Sequence, residues 1–245
     1  GNGQAEMDEA PRVHRDRPMK IGIITGCWQR HGVLQAALDN WSELGAAEII
    51  AAYTMADRAS MKMLKANGCR IIEAPNLLAT KFNAATRLAK QTDCDYFLHM
   101  GADDLIDPVL WDAYNRYVGD HMALTDWYFH HLPTNETRYW PGYVGPRQGE
   151  PIGAGKLVSR EAMDRIQWRP FIEGRNNALD HDQHHRLKGA GVKCDTFRLK
   201  DLGAVGVDLK DPANATPWSC IVPLTQREEH LSTLSPYLWD SINHL

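Results

Sequence analysis

Two adjacent carboxylates, Asp103 and Asp104, stand two residues beyond the apolar run DYFLHM and just before the helix-like stretch DPVLWDAYNRYV. Carboxylates on a loop at a strand's carboxyl end can hold a hard divalent cation, which in turn can bridge the phosphates of a nucleoside diphosphate. The pair can serve instead as a helix N-cap or an Asx-turn. A second acidic pair, Asp180 and Asp182, opens the predicted helix LDHDQHHRLKGAG. A carboxylate there can take a proton from an attacking hydroxyl, and burial can raise its pKa toward that task. The same stretch reads H-D-x-x-H. His181 and His185 at i, i+4 share a helical face and could grip Zn²⁺, although Asp replaces the Glu of zinc hydrolases and no third ligand follows downstream. Trp127, Tyr128, Tyr139, Trp140 and Tyr143 could stack on a sugar or base, or simply pack. Arg138, Arg147, Arg169 and Arg175 interleave with them, an arrangement that suits a polyanionic acceptor, nucleic acid included.

Alternating strands and helices position these groups. KIGIIT is a short Ile-rich run of the kind that forms a buried strand, and in VLQAALDNWSEL the apolar residues recur at helical spacing. AEIIAAYT, ASMKMLKAN, CRIIEA, LATKFNAATRLAKQT and DYFLHM continue as strand, helix, strand, helix, strand. Strict alternation with short links predicts an α/β fold with a mostly parallel, doubly wound sheet flanked by helices. In such sheets ligands bind at the carboxyl ends of the strands, so the loops after Thr25, Thr54, Ala74 and Met100 should share one functional rim. Residues 125–151 are dense in aromatic, Pro and Gly residues, with a possible hairpin. A small-residue turn (IGAGKL), a helix from Ser159, a helix from Leu179 and the strand VKCDTF follow. The chain from about Asp211 is irregular and reads as a flap folding back. The expected organisation is a tail (1–18), one domain (19–215, with a nucleotide half 19–107 and an acceptor half 108–215) and a C-terminal flap (216–245).

The chain has 245 residues, a formal net charge of -4 and 24% charged residues, so no global basic field marks it as a nucleic-acid binder. Five scattered cysteines, none in C-x-x-C spacing, argue against a disulfide framework or zinc knuckle and for a reducing compartment. No apolar run reaches the roughly 18 residues of a membrane span, and no h-region of a secretory signal is visible, so a soluble, cytoplasmic protein is expected. The first turn, GCWQRHG, is not G-x-G-x-x-G, which argues against a nicotinamide dinucleotide, and no Walker motif is present.

The order of parts resembles glycosyltransferases of the GT-A fold, above all the mostly inverting family-two group. The resemblance runs over roughly residues 19–200 through five motifs. They are the Arg-bearing turn of ITGCWQRHGVLQAAL, the two Asn of PNLLATKFNAATRLAK, the acidic GADD after strand four, the glycine-rich GAGKLVSREAMDRI and the acidic helix start LDHDQHHRLKGAG. Two positions depart from that pattern: Gly101 stands where the first Asp of D-x-D would fall, and Leu179 where the later motif has Glu.

The resemblance implies a metal-dependent transfer of a sugar from a nucleotide diphosphate sugar to a hydroxyl acceptor. Asp103, helped by Asp104, would bind Mn²⁺ or Mg²⁺, while Thr25, Arg30, Asn76 and Asn83 would line the nucleotide pocket. Asp180 would be the base, with Asp182 in reserve. Lys210 and Asn214 would come from a C-terminal lid touching the diphosphate. The acceptor stays open among a glycan, a small molecule and a modified base in DNA. A zinc-dependent hydrolase and a non-catalytic nucleotide-sugar-binding module are the rival readings.

Overall fold

The computed structural model describes residues 19–214, 216–228 and 230–245; the predicted tail (1–18) lies outside them. Strands β1 (Ile21–Gly26), β2 (Glu48–Tyr53), β3 (Arg70–Glu73) and β4 (Tyr96–His99) alternate with helices α1 (His31–Glu43), α2 (Arg58–Ala66) and α3 (Leu78–Ala89), as the periodicity predicts. Then come β5 (Asp104–Ile106), α4 (Pro108–Arg116), β6 (His121–Leu124), β7 (Trp127–His131), β8 (Glu136–Trp140), β9 (Lys156–Ser159), α5 (Arg160–Arg165), α6 (Leu179–Gly189) and β10 (Cys194–Phe197). The chain closes with α7 (Leu199–Leu202), β11 (Gly206–Lys210), α8 (Trp218–Ile221), β12 (Gln226–Arg227), α9 (Leu231–Leu234) and α10 (Pro236–Ile242).

The main sheet has seven strands in the order β10-β6-β9-β4-β1-β2-β3, and β9 pairs antiparallel with both of its neighbours while the other pairs run parallel. Its central strands are apolar on both faces. Ile23, Ala51, Leu98 and Leu157 join one core, while Ile24, Ile50, Phe97 and Val158 join the other. That double burial is why these strands read as continuous hydrophobic runs rather than alternating ones. A second sheet, β12-β8-β7-β11-β5, builds on the predicted aromatic hairpin, which is β7 and β8.

The second sheet is where the sequence reading falls short. Val207 to Lys210, expected in a lid, form most of β11, a strand held between β7 and β5. The stretch after Asp211, expected to be irregular, carries regular elements: β12 pairs with β8, and α10 packs on α1. Among the described residues no helix is long and apolar enough to cross a membrane.

Several contacts fix the ends of the strands that carry the acidic residues. Trp41 of α1 donates Nε1–H to the carbonyl of Asp104 at 3.1 Å, and the Asn40 amide bonds both the N–H and the C=O of Ile106. Asp107 caps α4 through the Leu110 N–H at 2.8 Å and accepts the Val205 N–H at 3.0 Å, tying β5 to the entry of β11. Helix α1 and this cap thus hold β5 and β11 in one register.

Candidate active site

Asp103 and Asp104 lie at the rim the sheet predicts, immediately beyond β4. A cleft of about 280 Å³ opens there, lined by both aspartates together with Asp208, Asp180, His99, Gln183 and the rings of Trp127, Phe129, Trp140 and Phe171. Asp104 and Asp208 are direct partners across the antiparallel β5–β11 pair, and Asp103 accepts the Leu209 N–H through its carbonyl at 2.9 Å. One carboxylate oxygen from each of Asp103, Asp104 and Asp208 lies within 4.8 Å of the others. Side chains directly opposite on antiparallel strands approach closely, and like charges there repel.

The electrostatics record that repulsion. Burial, followed by the charges of Asp208 and Asp103, drives the Asp104 carboxyl well above its ordinary pKa. Asp208 is pushed up to about 7, by burial first and then by Asp103, against the pull of Lys210. Lys210 offsets part of the charge through a 2.6 Å ion pair to Asp208. Oδ1 of Asp208 nevertheless has no hydrogen-bond partner among the described residues. A buried acceptor left without a donor is costly, and a triad of hard oxygen donors matches Mg²⁺ or Mn²⁺.

The glycine at the first D-x-D position has a steric reason. A Cβ on Gly101 would stand 2.7 Å from the Asp103 carboxylate and 2.9 Å from that of Asp104, whose Oδ2 accepts the Gly101 N–H at 2.6 Å. A side chain at 101 would require both carboxylates to shift, and Asp208 brings the third carboxylate from β11. Sequence reasoning missed Asp208. Its signal was the alternation in GVDLK, where Val207 and Leu209 are fully buried and Asp208 and Lys210 take the opposite face.

Asp180 also reaches the cleft, on the first turn of α6. It is not the helix cap, because Ala178 holds that position in a left-handed conformation. Its carboxylate is clasped by the Tyr143 hydroxyl and by Arg147 at 2.7 Å. Burial pushes its pKa up, but those two hydrogen bonds and the Lys156 charge outweigh burial and leave it below its ordinary value. The expectation that burial would raise it is thus reversed by its partners. Lys156, wholly buried, donates to the Asp180 carbonyl at 2.8 Å and is itself lowered to about 8 by burial.

The other predicted residues divide. Arg30 sits in a left-handed turn before α1 and pairs with Asp103 and with Asp211, donating in addition to the Leu209 carbonyl. Asn214 reaches Asp103 Oδ2 at 3.4 Å. Lys210 belongs to the interior of the second sheet, 7% exposed, and not to a lid. Asn83 is fully buried and absent from the cleft wall; both ends of its amide bond the Phe171 backbone, at 2.9 and 3.1 Å. Asn76 is exposed and accepts from Lys81 at 2.5 Å. Thr25 is buried in β1, and its hydroxyl has no partner among the described residues. Asp182 faces away from the cleft into a separate hollow and pairs with Arg175 at 2.6 Å.

The interleaved arginines do not form an open basic groove. Arg138 pairs with Glu136, Arg147 with Glu150 and Asp180, and Arg175 with Asp182. Partner carboxylates therefore neutralise three of the four locally.

No protein-family profile matches the chain, and a sequence search of curated proteins finds no match. Solved structures do. The inositol-1-phosphate CTP transferase from T. maritima is 10% identical with a TM-score of 0.53, covering 84% of this chain and 95% of that one. CMP:2-keto-3-deoxy-manno-octonic acid synthetase complexed with CTP is 12% identical with a TM-score of 0.49, covering 83% and 96%. Glucosyl-3-phosphoglycerate synthase from Mycobacterium tuberculosis, in complex with phosphoglyceric acid, is 13% identical with a TM-score of 0.49, covering 79% and 73%. At such identities a likeness speaks to architecture alone, and only the first is near enough to carry it. The chain shares the architecture of the T. maritima structure, a Rossmann-like, mostly parallel central sheet flanked by helices.

Proposed function

We propose that this protein is a metal-dependent glycosyltransferase that moves a sugar from a nucleotide diphosphate sugar to a hydroxyl acceptor, with inversion at the anomeric carbon. The observation that carries the reading is the convergence of Asp103, Asp104 and Asp208 on one side of a cleft that Asp180 enters from α6. The three carboxylates would hold Mn²⁺ or Mg²⁺, which when bound neutralises negative charge developing on the departing diphosphate. Arg30, now paired with Asp103, is the nearby cation that can turn to the phosphates when Asp103 takes a ligand. Phe129 and Trp140, both half-buried on the cleft wall, offer apolar faces to a sugar ring.

In the transfer, the acceptor oxygen bonds to the anomeric carbon as the bond from that carbon to the phosphate oxygen breaks. The electron pair leaves with the nucleoside diphosphate, and the acceptor proton passes to the Asp180 carboxylate. Asp180 is ionised at neutral pH because Tyr143 and Arg147 stabilise its charged form. Residues 19–107 act as the nucleotide half, 108–215 as the acceptor half and 216–245 as the flap. A cytoplasmic setting accords with the five free cysteines.

A second reading, nucleotidyl transfer, draws on the likeness to the T. maritima CTP transferase. The products separate the two. Glycosyl transfer releases a nucleoside diphosphate from a nucleotide sugar, whereas nucleotidyl transfer releases pyrophosphate from a nucleoside triphosphate. Thermal melting with UDP, GDP, CDP and TDP, each with and without Mn²⁺, tests the shared premise. At least one should raise the melting temperature only when Mn²⁺ is present, and no shift with any of them removes the proposal.

A further inference from the structure

A second donor cluster lies apart from the three aspartates. Helix α6 places His181 and His185 one turn apart, their ring centroids 4.1 Å from each other, and Nδ1 of His181 lies 3.5 Å from Oε2 of Glu150. One donor atom from each of the three residues falls within 4.8 Å of the others. Ligands of a tetrahedral Zn²⁺ with bonds of about 2.0–2.1 Å stand roughly 3.3 Å apart, so the His181–Glu150 edge already has the right span. The His185 edges close by side-chain rotation, since its ring is exposed to solvent.

Glu150 Oε2 also accepts from Arg147 at 2.7 Å, and Asp180 balances the Arg147 charge on its other side. Two imidazoles and one carboxylate are a borderline donor set that suits Zn²⁺ and its transition-series neighbours rather than Mg²⁺. The third ligand comes from upstream in the chain, in a loop that packs against α6, which is why no downstream search of the sequence finds it. Asp182, which a hydrolytic reading would make the base, is buried in the hollow that His181 and His185 also line; Arg175 holds one of its carboxylate oxygens, and the other has no partner among the described residues.

We propose that Glu150, His181 and His185 bind Zn²⁺ or a similar transition-metal ion, and that this ion pins the 145–155 loop onto α6. That loop runs from Arg147, which clasps Asp180, to Ile152, Gly153 and Ala154, which line the cleft. The ion acts as a structural clamp on one wall of the cleft.

Co²⁺ is the probe, because imidazole-bound Co²⁺ of low coordination number absorbs visible light far more strongly than Co²⁺ held octahedrally by oxygens. The full chain, in excess Mg²⁺ to fill the aspartate cluster, is titrated with Co²⁺. One equivalent should bring up an intense visible band that one equivalent of Zn²⁺ abolishes. The band should vanish in His185→Ala and persist in Asp104→Asn, and Zn²⁺ should raise the melting temperature of the parent but not of His185→Ala. Absence of the band in the parent, its survival in His185→Ala or its loss in Asp104→Asn each overturns the proposal.

Discussion

Asp104 and Asp208 face each other across neighbouring antiparallel strands, with the single ammonium of Lys210 bonded to Asp208 beside them. Two carboxylates in that register, with Asp103 completing a triad, make the apo site a place of stored repulsion. Functional sites commonly carry such a cost, and relieving it stabilises the protein while removing its activity.

Replacing Asp104 by Asn therefore has a predicted sign for each property. Its amide oxygen can still accept the Gly101 N–H, while a like charge next to Asp208 and Asp103 is gone. In EDTA at pH 8, Asp104→Asn should be more stable than the parent by on the order of 1 kcal/mol, measured by urea unfolding. With Mn²⁺ present it should show no nucleotide-dependent rise in melting temperature. A variant destabilised in EDTA would contradict the repulsion.

Asp180→Asn should keep metal-dependent nucleotide binding and lose transfer to the acceptor, with kcat down by about 10²–10⁴. Tyr143→Phe tests the same residue through its pKa. Tyr143 lowers the Asp180 pKa, so its removal raises that pKa, and protonation then silences the base at higher pH than before. The acid limb of the kcat/KM profile should move upward in pH in Tyr143→Phe. An unmoved limb removes Asp180 as the titrating base.

Asn83 is predicted to matter for stability and not for nucleotide contact. Its amide satisfies both the N–H and the C=O of Phe171, whose ring forms part of the cleft wall. Asn83→Ala leaves two buried backbone groups without partners and should cost about 2–4 kcal/mol in denaturant unfolding. Near the midpoint of inactivation, residual folded enzyme should bind nucleotide normally.

His121 gives a pH-dependent prediction. It is fully buried in β6, neither ring nitrogen has a partner among the described residues, and burial lowers its pKa to about 3 from the ordinary 6.5. Below pH 6.5 the unfolded chain takes up a proton that the folded chain refuses, so stability falls as pH drops from 6.5 toward 3. His121→Leu should flatten that part of the stability curve and leave the curve above pH 7 parallel to the parent's. An unchanged acid slope would show that His121 does not titrate on unfolding.

The first half of the fold was readable because its strands are short apolar runs set between helices of clear 3.6-residue period. β1 to β4 and α1 to α3 appear where Ile23, Ile50, Leu34 and Ala85 place them. β5 and β11 were not readable: they are three and five residues long, and each carries an acidic residue turned to the cleft, so they look like loop. The rim position of Asp103 and Asp104 followed from topology, whereas Asp180 was reached only through the family resemblance. Asp208, Tyr143 and Arg147 followed from neither, because their roles depend on pairings across 104, 37 and 33 residues of chain. The burial of Asn83 against Phe171 was unreadable for a related reason, since nothing in its own segment announces that partner.

The most direct test is a crystal of the full chain soaked with Mn²⁺ and whichever nucleoside diphosphate shifts the melting temperature, with anomalous data collected for manganese. A peak should stand among the carboxylates of Asp103, Asp104 and Asp208, in contact with the diphosphate. Bound nucleotide with manganese elsewhere, or with no manganese at all, would contradict a transferase built on those three side chains.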